Sequence, residues 1–205
     1  MKTKDLAKVT VIMRGYSYQQ VNAICKVLVG TAFNTIEITT NSPNAFDTVK
    51  RIKEEYAEKI YVGVGTVLTM EHAISAVESN ADFILSPIAL GKDIIDFCKK
   101  NNVLTVPAAM TPTEIYELIQ NGADVVKVFP AKHLQISYAK DIQAPLGKLP
   151  LMAVGGININ NVNDYFENNY QYVGISSGMF EKTDIESMDI NKLKESLAKW
   201  ESVLG

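Results

Sequence analysis

Eight short runs of β-branched and apolar residues recur along this 205-residue chain, and segments of helical period separate them. The runs lie near residues 8 to 13, 34 to 39, 60 to 64, 82 to 86, 103 to 107, 124 to 129, 150 to 154 and 171 to 175. Strands that alternate with helices pair in parallel, because each crossover helix returns the chain to the end of the sheet it left. Eight such units in a chain of this length predict an α/β fold, a compact (β/α)8 TIM barrel. A doubly wound sheet is the alternative, but Gly63-Val64-Gly65-Thr66-Val67-Leu68 lacks the third glycine of a dinucleotide fingerprint and no P-loop consensus occurs. Ser17 with Gln20, and Thr111 with Pro112 and Glu114, read as helix starts. Leu193, Leu197, Trp200 and Val203 predict a closing amphipathic helix from about residue 191 to 203, with Trp200 a packing residue. No linker or composition shift divides the chain, so residues 1–205 are expected to form a single barrel domain.

Composition excludes several function classes. A net charge of -3 gives no basic footprint for nucleic acid. No apolar run reaches the length of a membrane span, and the basic amino terminus is followed by no cleavage site, which predicts a cytoplasmic protein. His72 and His133 are the only imidazoles and lie in no Cys/His cluster, so a three-histidine zinc site cannot be built within one chain; both read as surface or helix-face residues. Cys25 and Cys98 fall in helical contexts and read as buried free thiols.

Lys127 stands in the middle of Val125-Val126-Lys127-Val128-Phe129. Desolvation disfavours an ammonium, so a strand lysine that faces an interior tends toward a neutral amine able to form Schiff bases. The competing reading is an edge-strand lysine that extends its charge into water. Period-2 alternation helps to separate the two. If Val126 and Val128 face the helices, Lys127 points inward, and Ile36 and Ile38 turn Glu37 inward by the same rule. Strands 2 and 6 are both even-numbered and four apart, so their inward residues share a layer, and Glu37 and Lys127 are expected to be neighbours. A buried salt bridge is the structural alternative to a catalytic pair.

Other candidates fall at the carboxyl ends of strands, the face on which barrel enzymes place their sites. Arg14 ends strand 1 with a guanidinium fork suited to a carboxylate. Thr66 follows strand 3, Pro87 follows Ser86 at the end of strand 4, and Phe129 ends strand 6. Gly155-Gly156 ends strand 7 and Ser176-Ser177-Gly178 ends strand 8, small residues whose N–H groups can approach a phosphate.

With these segments the chain resembles the 2-keto-3-deoxy-6-phosphogluconate and 4-hydroxy-2-oxoglutarate aldolase family, the class I pyruvate aldolases. The likeness runs from Val9 to Phe180 through VIMRG, IEIT, GVGTV, LSP, VVKVFPA, AVGGI and ISSG. It implies a homotrimeric barrel that uses no cofactor, with Lys127 as the Schiff-base residue and Glu37 as general acid/base. It also implies Arg14 and Thr66 at the pyruvate carboxylate, and Gly155, Gly156 and Ser177 at the substrate phosphate. Asn41 stands where many members carry an arginine, and its Asn-Ser-Pro context resembles the 2-keto-3-deoxy-6-phosphogalactonate branch. Ile88, Ala108 and Ser176 replace glycines common in the family and are expected to narrow the rim.

The resemblance implies cleavage of a 2-keto-3-deoxy-6-phospho sugar acid to pyruvate and glyceraldehyde 3-phosphate, and of 4-hydroxy-2-oxoglutarate to pyruvate and glyoxylate. A barrel that only binds a phosphate or sugar acid is one alternative. A phosphosugar isomerase or synthase is another, and it would need no lysine at the centre of a strand.

Overall fold

The structure, a computed structural model, describes residues 3–176 and 178–204. Its strands are β1 (Val9–Met13), β2 (Thr35–Thr39), β3 (Tyr61–Gly65), β4 (Phe83–Leu85), β5 (Leu104–Val106), β6 (Ala108–Ala109), β7 (Val126–Val128), β8 (Leu151–Val154) and β9 (Tyr172–Ile175). All pair in parallel, in the order β5-β4-β3-β2-β1-β9-β8-β7-β6. The eight expected runs are all present, and only the fifth is divided.

Pro107 divides it, because proline has no N–H to give to a ladder. The chain nevertheless runs straight on. The Val125, Lys127 and Phe129 N–H groups donate to the Thr105, Pro107 and Ala109 carbonyls at 3.2, 2.9 and 3.4 Å, while the Ser86 N–H donates to the Val106 carbonyl at 3.1 Å. β5 therefore pairs with β4 and β6 with β7, and the sheet closes on itself through one proline. The barrel is eight-stranded in effect, with helices outside.

Two apolar clusters separate the barrel's inside from its outside. Val11, Ile36, Ile38, Val126 and Val128 belong to the large cluster that the strands form with the helices. Leu6, Ile12, Phe83, Leu85, Leu104, Val106, Val125, Met152 and Val154 form the smaller one. This is the alternation expected of barrel strands, so Glu37, opposite Ile12 in the β1–β2 register, and Lys127, two residues from Val125, face inward. Space inside is shared unequally: β3 presents Gly63 and Gly65, and the Phe83 ring occupies the volume that a Cβ at Gly63 would need. A fully buried phenyl group contributes about 2 to 3 kcal/mol, so giving β3 no side chain there returns stability through β4.

Helices α1 (Tyr18–Leu28) and α5 (Pro112–Gln120) each begin with a capping box, from Ser17 and Gln20 and from Thr111 and Glu114. The last helix, α9 (Ile190–Leu204), buries Leu193, Leu197 and Trp200, and Trp200 is a packing residue. Cys25 and Cys98 are buried free thiols, with burial pushing Cys98 up to about 12. Among the described residues no helix is long and apolar enough to cross a membrane, and no group of three or more His, Cys, Asp or Glu side chains could hold a metal ion.

Candidate active site

The carboxyl ends of the strands surround a cavity of about 470 Å³. Arg14, Glu37, Thr66, Pro87, Lys127, Phe129, Gly155 and Gly156 line it, which brings together eight of the ten site residues expected from sequence. Asn41 is outside the lining and accepts a hydrogen bond from Arg14 Nη1 at 3.0 Å. Ser177 lies outside the described residues. The cavity also takes in Ile12, Val154, Ile157, Gly174 and Ser176. Ile12 and Gly174 were legible from strand parity, each two residues before a rim position, whereas Ile157 lies beyond its strand and carried no such signal. Of the three bulkier rim residues, Ser176 lines the cavity. Ile88 is exposed, Ala108 is buried with its N–H on the Ile88 carbonyl, and neither reaches the lining.

Glu37 and Lys127 are buried, at 1% and 5% exposure, in the middle of β2 and β7. They share the cavity, yet among the described residues no ion pair joins them, and Glu37 Oε2 is buried without a hydrogen-bond partner. Burial is the largest influence on each. It raises the Glu37 carboxyl above the usual carboxylate range, against the opposing pull of Lys127 and then Arg14. It lowers the Lys127 amine, against Glu37 and with the help of Arg14. Both shifts favour the neutral forms, and no ion pair joins the two groups. A neutral amine is a nucleophile, and a buried carboxyl with a raised pKa can give a proton and take one back.

Local structure sets both groups. A Cβ on Gly65 would collide with the Glu37 carboxyl, so the glycine leaves the carboxyl its place. The Phe129 ring centroid is 4.9 Å from Lys127 Nζ and walls off one side of the amine. Gly155 and Gly156 both have positive φ, at 100° and 83°, a turn closed to most other residues, and the Lys132 side chain packs against Gly156. Thr66 adopts φ 60°, which is uncommon for a β-branched residue, and its hydroxyl accepts from Arg14 Nη1 at 3.3 Å.

Comparison with known proteins places the fold and the family. The probable 2-dehydro-3-deoxy-6-phosphogalactonate aldolase of Rhizobium meliloti is 29% identical over 196 residues, which covers 95% of this chain and 92% of its own. The 2-dehydro-3-deoxy-6-phosphogalactonate aldolase of Escherichia coli is 25% identical over 170 residues, 82% of each chain. Among solved structures, a KDPG aldolase from Legionella pneumophila, captured with pyruvate as a covalent carbinolamine intermediate, shares the fold with a TM-score of 0.86 at 20% identity, covering 98% of this chain and 96% of that one. A native KDPGal structure has a TM-score of 0.82 at 22% identity, covering 96% and 95%. The family model described as KDPG and KHG aldolase matches residues 2–196. That match spans every strand of the barrel and both buried ionisable groups, and the chain belongs to the KDPG and KHG aldolase family of carbon–carbon lyases.

Proposed function

We propose that this chain is a Schiff-base pyruvate aldolase in which Lys127 is the imine-forming residue and Glu37 the general acid/base. The observation that carries the reading is a buried amine and a buried carboxyl that line one cavity without forming an ion pair, each pushed by burial toward its neutral form. The Nζ lone pair adds to the C2 ketone of a 2-keto-3-deoxy acid, and the amine gives up a proton as the ketone oxygen becomes a hydroxyl. Glu37 then protonates that hydroxyl, water leaves, and an iminium faces a newly formed carboxylate. The carboxylate takes the C4 hydroxyl proton while the electrons of the C3–C4 bond move into the iminium, which releases an aldehyde and leaves an enamine. Protonation at C3 and addition of water return pyruvate and free Lys127. Burial penalises separate charges and so favours the neutral pair before substrate binds.

Arg14 meets the substrate carboxylate, and the exposed backbone at Gly155 and Gly156, with Ser176 beside it and Ser177 next in sequence, meets the phosphate of a 6-phospho sugar acid. The products are pyruvate and glyceraldehyde 3-phosphate, with 4-hydroxy-2-oxoglutarate as a further, unphosphorylated substrate that yields glyoxylate. A homotrimer completes the reading, supported by the family resemblance, and sedimentation of the purified chain checks it.

Incubation with pyruvate and borohydride tests the chemistry. A stable added mass should appear on Lys127 alone, and labelling of a Lys127→Ala protein at comparable yield would refute the assignment. Specificity constants for phosphorylated and unphosphorylated substrates, and for the gluconate-type and galactonate-type epimers, test the substrate. A higher constant for the unphosphorylated acid would remove the phosphate role of the glycines.

A further inference from the structure

The segment between β2 and α2 (Ala45–Tyr56) makes three consecutive side-chain contacts, each to a neighbouring rim loop. The Thr40 hydroxyl donates to the Thr66 carbonyl at 3.0 Å. The Asn41 side-chain carbonyl accepts from Arg14 Nη1 at 3.0 Å. The Ser42 hydroxyl accepts the Gly15 N–H at 2.8 Å and lies 3.0 Å from the Thr39 hydroxyl. Ser42 is 7% exposed and Thr39 is fully buried, so this junction is shielded from competing water. The Thr40 N–H holds the segment to β3 through the Gly65 carbonyl at 2.9 Å.

The contacts converge on one guanidinium. Gly15, at φ 80°, is the turn immediately after Arg14, and Ser42 is what holds its N–H. Thr66, in its left-handed conformation, is the second acceptor for Arg14 Nη1, and Thr40 holds its carbonyl. Both acceptors of Nη1 and the backbone that carries Arg14 are therefore anchored by residues 40 to 42. With Nη1 engaged, Nη2 and Nε remain as the fork that matches a carboxylate. Arg14 itself is exposed at the rim and would otherwise sample many rotamers.

We propose that Thr40, Asn41 and Ser42 form a brace that positions the Arg14 guanidinium over the cavity, with the buried Ser42 hydroxyl fixing the backbone and Asn41 fixing the side chain. The role of Arg14 as carboxylate binder rests on the aldolase reading above, but the placement of its charge near Lys127 does not. On this view Asn41 acts on substrate only through Arg14, and residues 40 to 42 are positioning residues.

Two readouts separate the brace from a merely structural loop and from the aldolase reading. The first is the pH midpoint for modification of Lys127 by cyanate, followed by mass spectrometry, which needs no pyruvate. The charged and titratable groups that act on this amine are Glu37 from β2 and Arg14 from the end of β1; Arg14 lowers the amine, so loss of its position should move the midpoint to higher pH in Ser42→Ala and Asn41→Ala. The second is the pyruvate concentration for half-maximal borohydride trapping, which should rise about tenfold in each variant, the effect of weakening one charge-assisted contact. Ser42→Thr, which keeps the acceptor, should restore both values. Asn41 is exposed, so Asn41→Ala tests the brace even where Ser42→Ala lowers stability. If wild-type protein traps pyruvate and both readouts are unmoved in Asn41→Ala and Ser42→Ala, the brace is overturned and the aldolase reading stands. If wild-type protein fails to trap pyruvate while the cyanate midpoint moves, the brace stands and the imine mechanism falls.

Discussion

The two ends of the barrel treat partly or fully buried carboxyl groups in opposite ways. At the amino-terminal end Asp82 is surrounded by partners: its Oδ2 accepts from Lys53 Nζ at 2.7 Å and from the Val62 N–H at 2.8 Å. Asp124, just before β7, does the same toward β5, where its Oδ2 accepts the Thr105 N–H at 2.9 Å and the Thr105 hydroxyl at 3.2 Å. Each of these carboxylates stitches its own strand to an earlier one. At the carboxyl-terminal end Glu37 has no such partner for Oε2, and Lys127 forms no ion pair among the described residues. Satisfied groups tie neighbouring strands together at one end, while on the proposed reading the unsatisfied carboxyl at the other end remains available for reaction.

Substitution should therefore have opposite consequences at the two ends. The largest effect is expected from Lys127→Met, which should lower aldol cleavage by roughly 10⁴-fold or more, as loss of a nucleophile does, while leaving the urea midpoint unchanged or higher. A large drop in that midpoint would show that the amine is a structural element and would erase the contrast. Glu37→Gln comes next, with cleavage slowed by about 10² to 10⁴.

The Glu37 variant also has a pH signature. Burial raises the folded-state pKa of Glu37, so the stability associated with its protonated form is fully present below the unfolded value and is lost as pH rises through the folded one. Glutamine is neutral throughout. The stability of wild type relative to Glu37→Gln should thus decline between those two pKa values, and a difference that is flat with pH in urea titrations would contradict the raised carboxyl.

At the other end, Asp82→Ala should cost about 2 kcal/mol in urea denaturation, since it strands the half-buried Lys53 and the Val62 N–H, with kcat near wild type. A kcat loss comparable to that of Glu37→Gln would mean that the two ends are not separable. The smallest effect is expected from Asp124→Asn, about 1 kcal/mol, because the amide oxygen still accepts from Thr105 but without charge.

Much of this was legible because two periods do most of the work. Eight apolar runs gave the barrel, and alternation within Ile36-Glu37-Ile38 and Val126-Lys127-Val128 turned both ionisable groups to the same interior. What alternation cannot report is distance, and so the absence of an ion pair between them had to come from coordinates. Loops were harder still. Asn41 reads from sequence as an amide where many members of the family carry an arginine, and only the geometry shows it turned to Arg14, while Thr40 and Ser42 carry no pattern that distinguishes them from ordinary turn residues. Asp82 and Asp124 carry no signal of their partners, because an aspartate before a strand looks like any polar boundary.

β3 lends its inward volume to its neighbours: the Phe83 ring fills the place opposite Gly63, and the Glu37 carboxyl fills the place opposite Gly65. For anyone reshaping this cavity toward new aldehydes, that strand is closed territory. A library that diversifies position 65 would displace the Glu37 carboxyl before it touched anything in the cavity, so positions 37 and 65 have to be varied jointly or left alone. New selectivity has to be written at the rim instead, on Pro87 or Ser176, which border the cavity, whereas Phe129 walls the Lys127 amine.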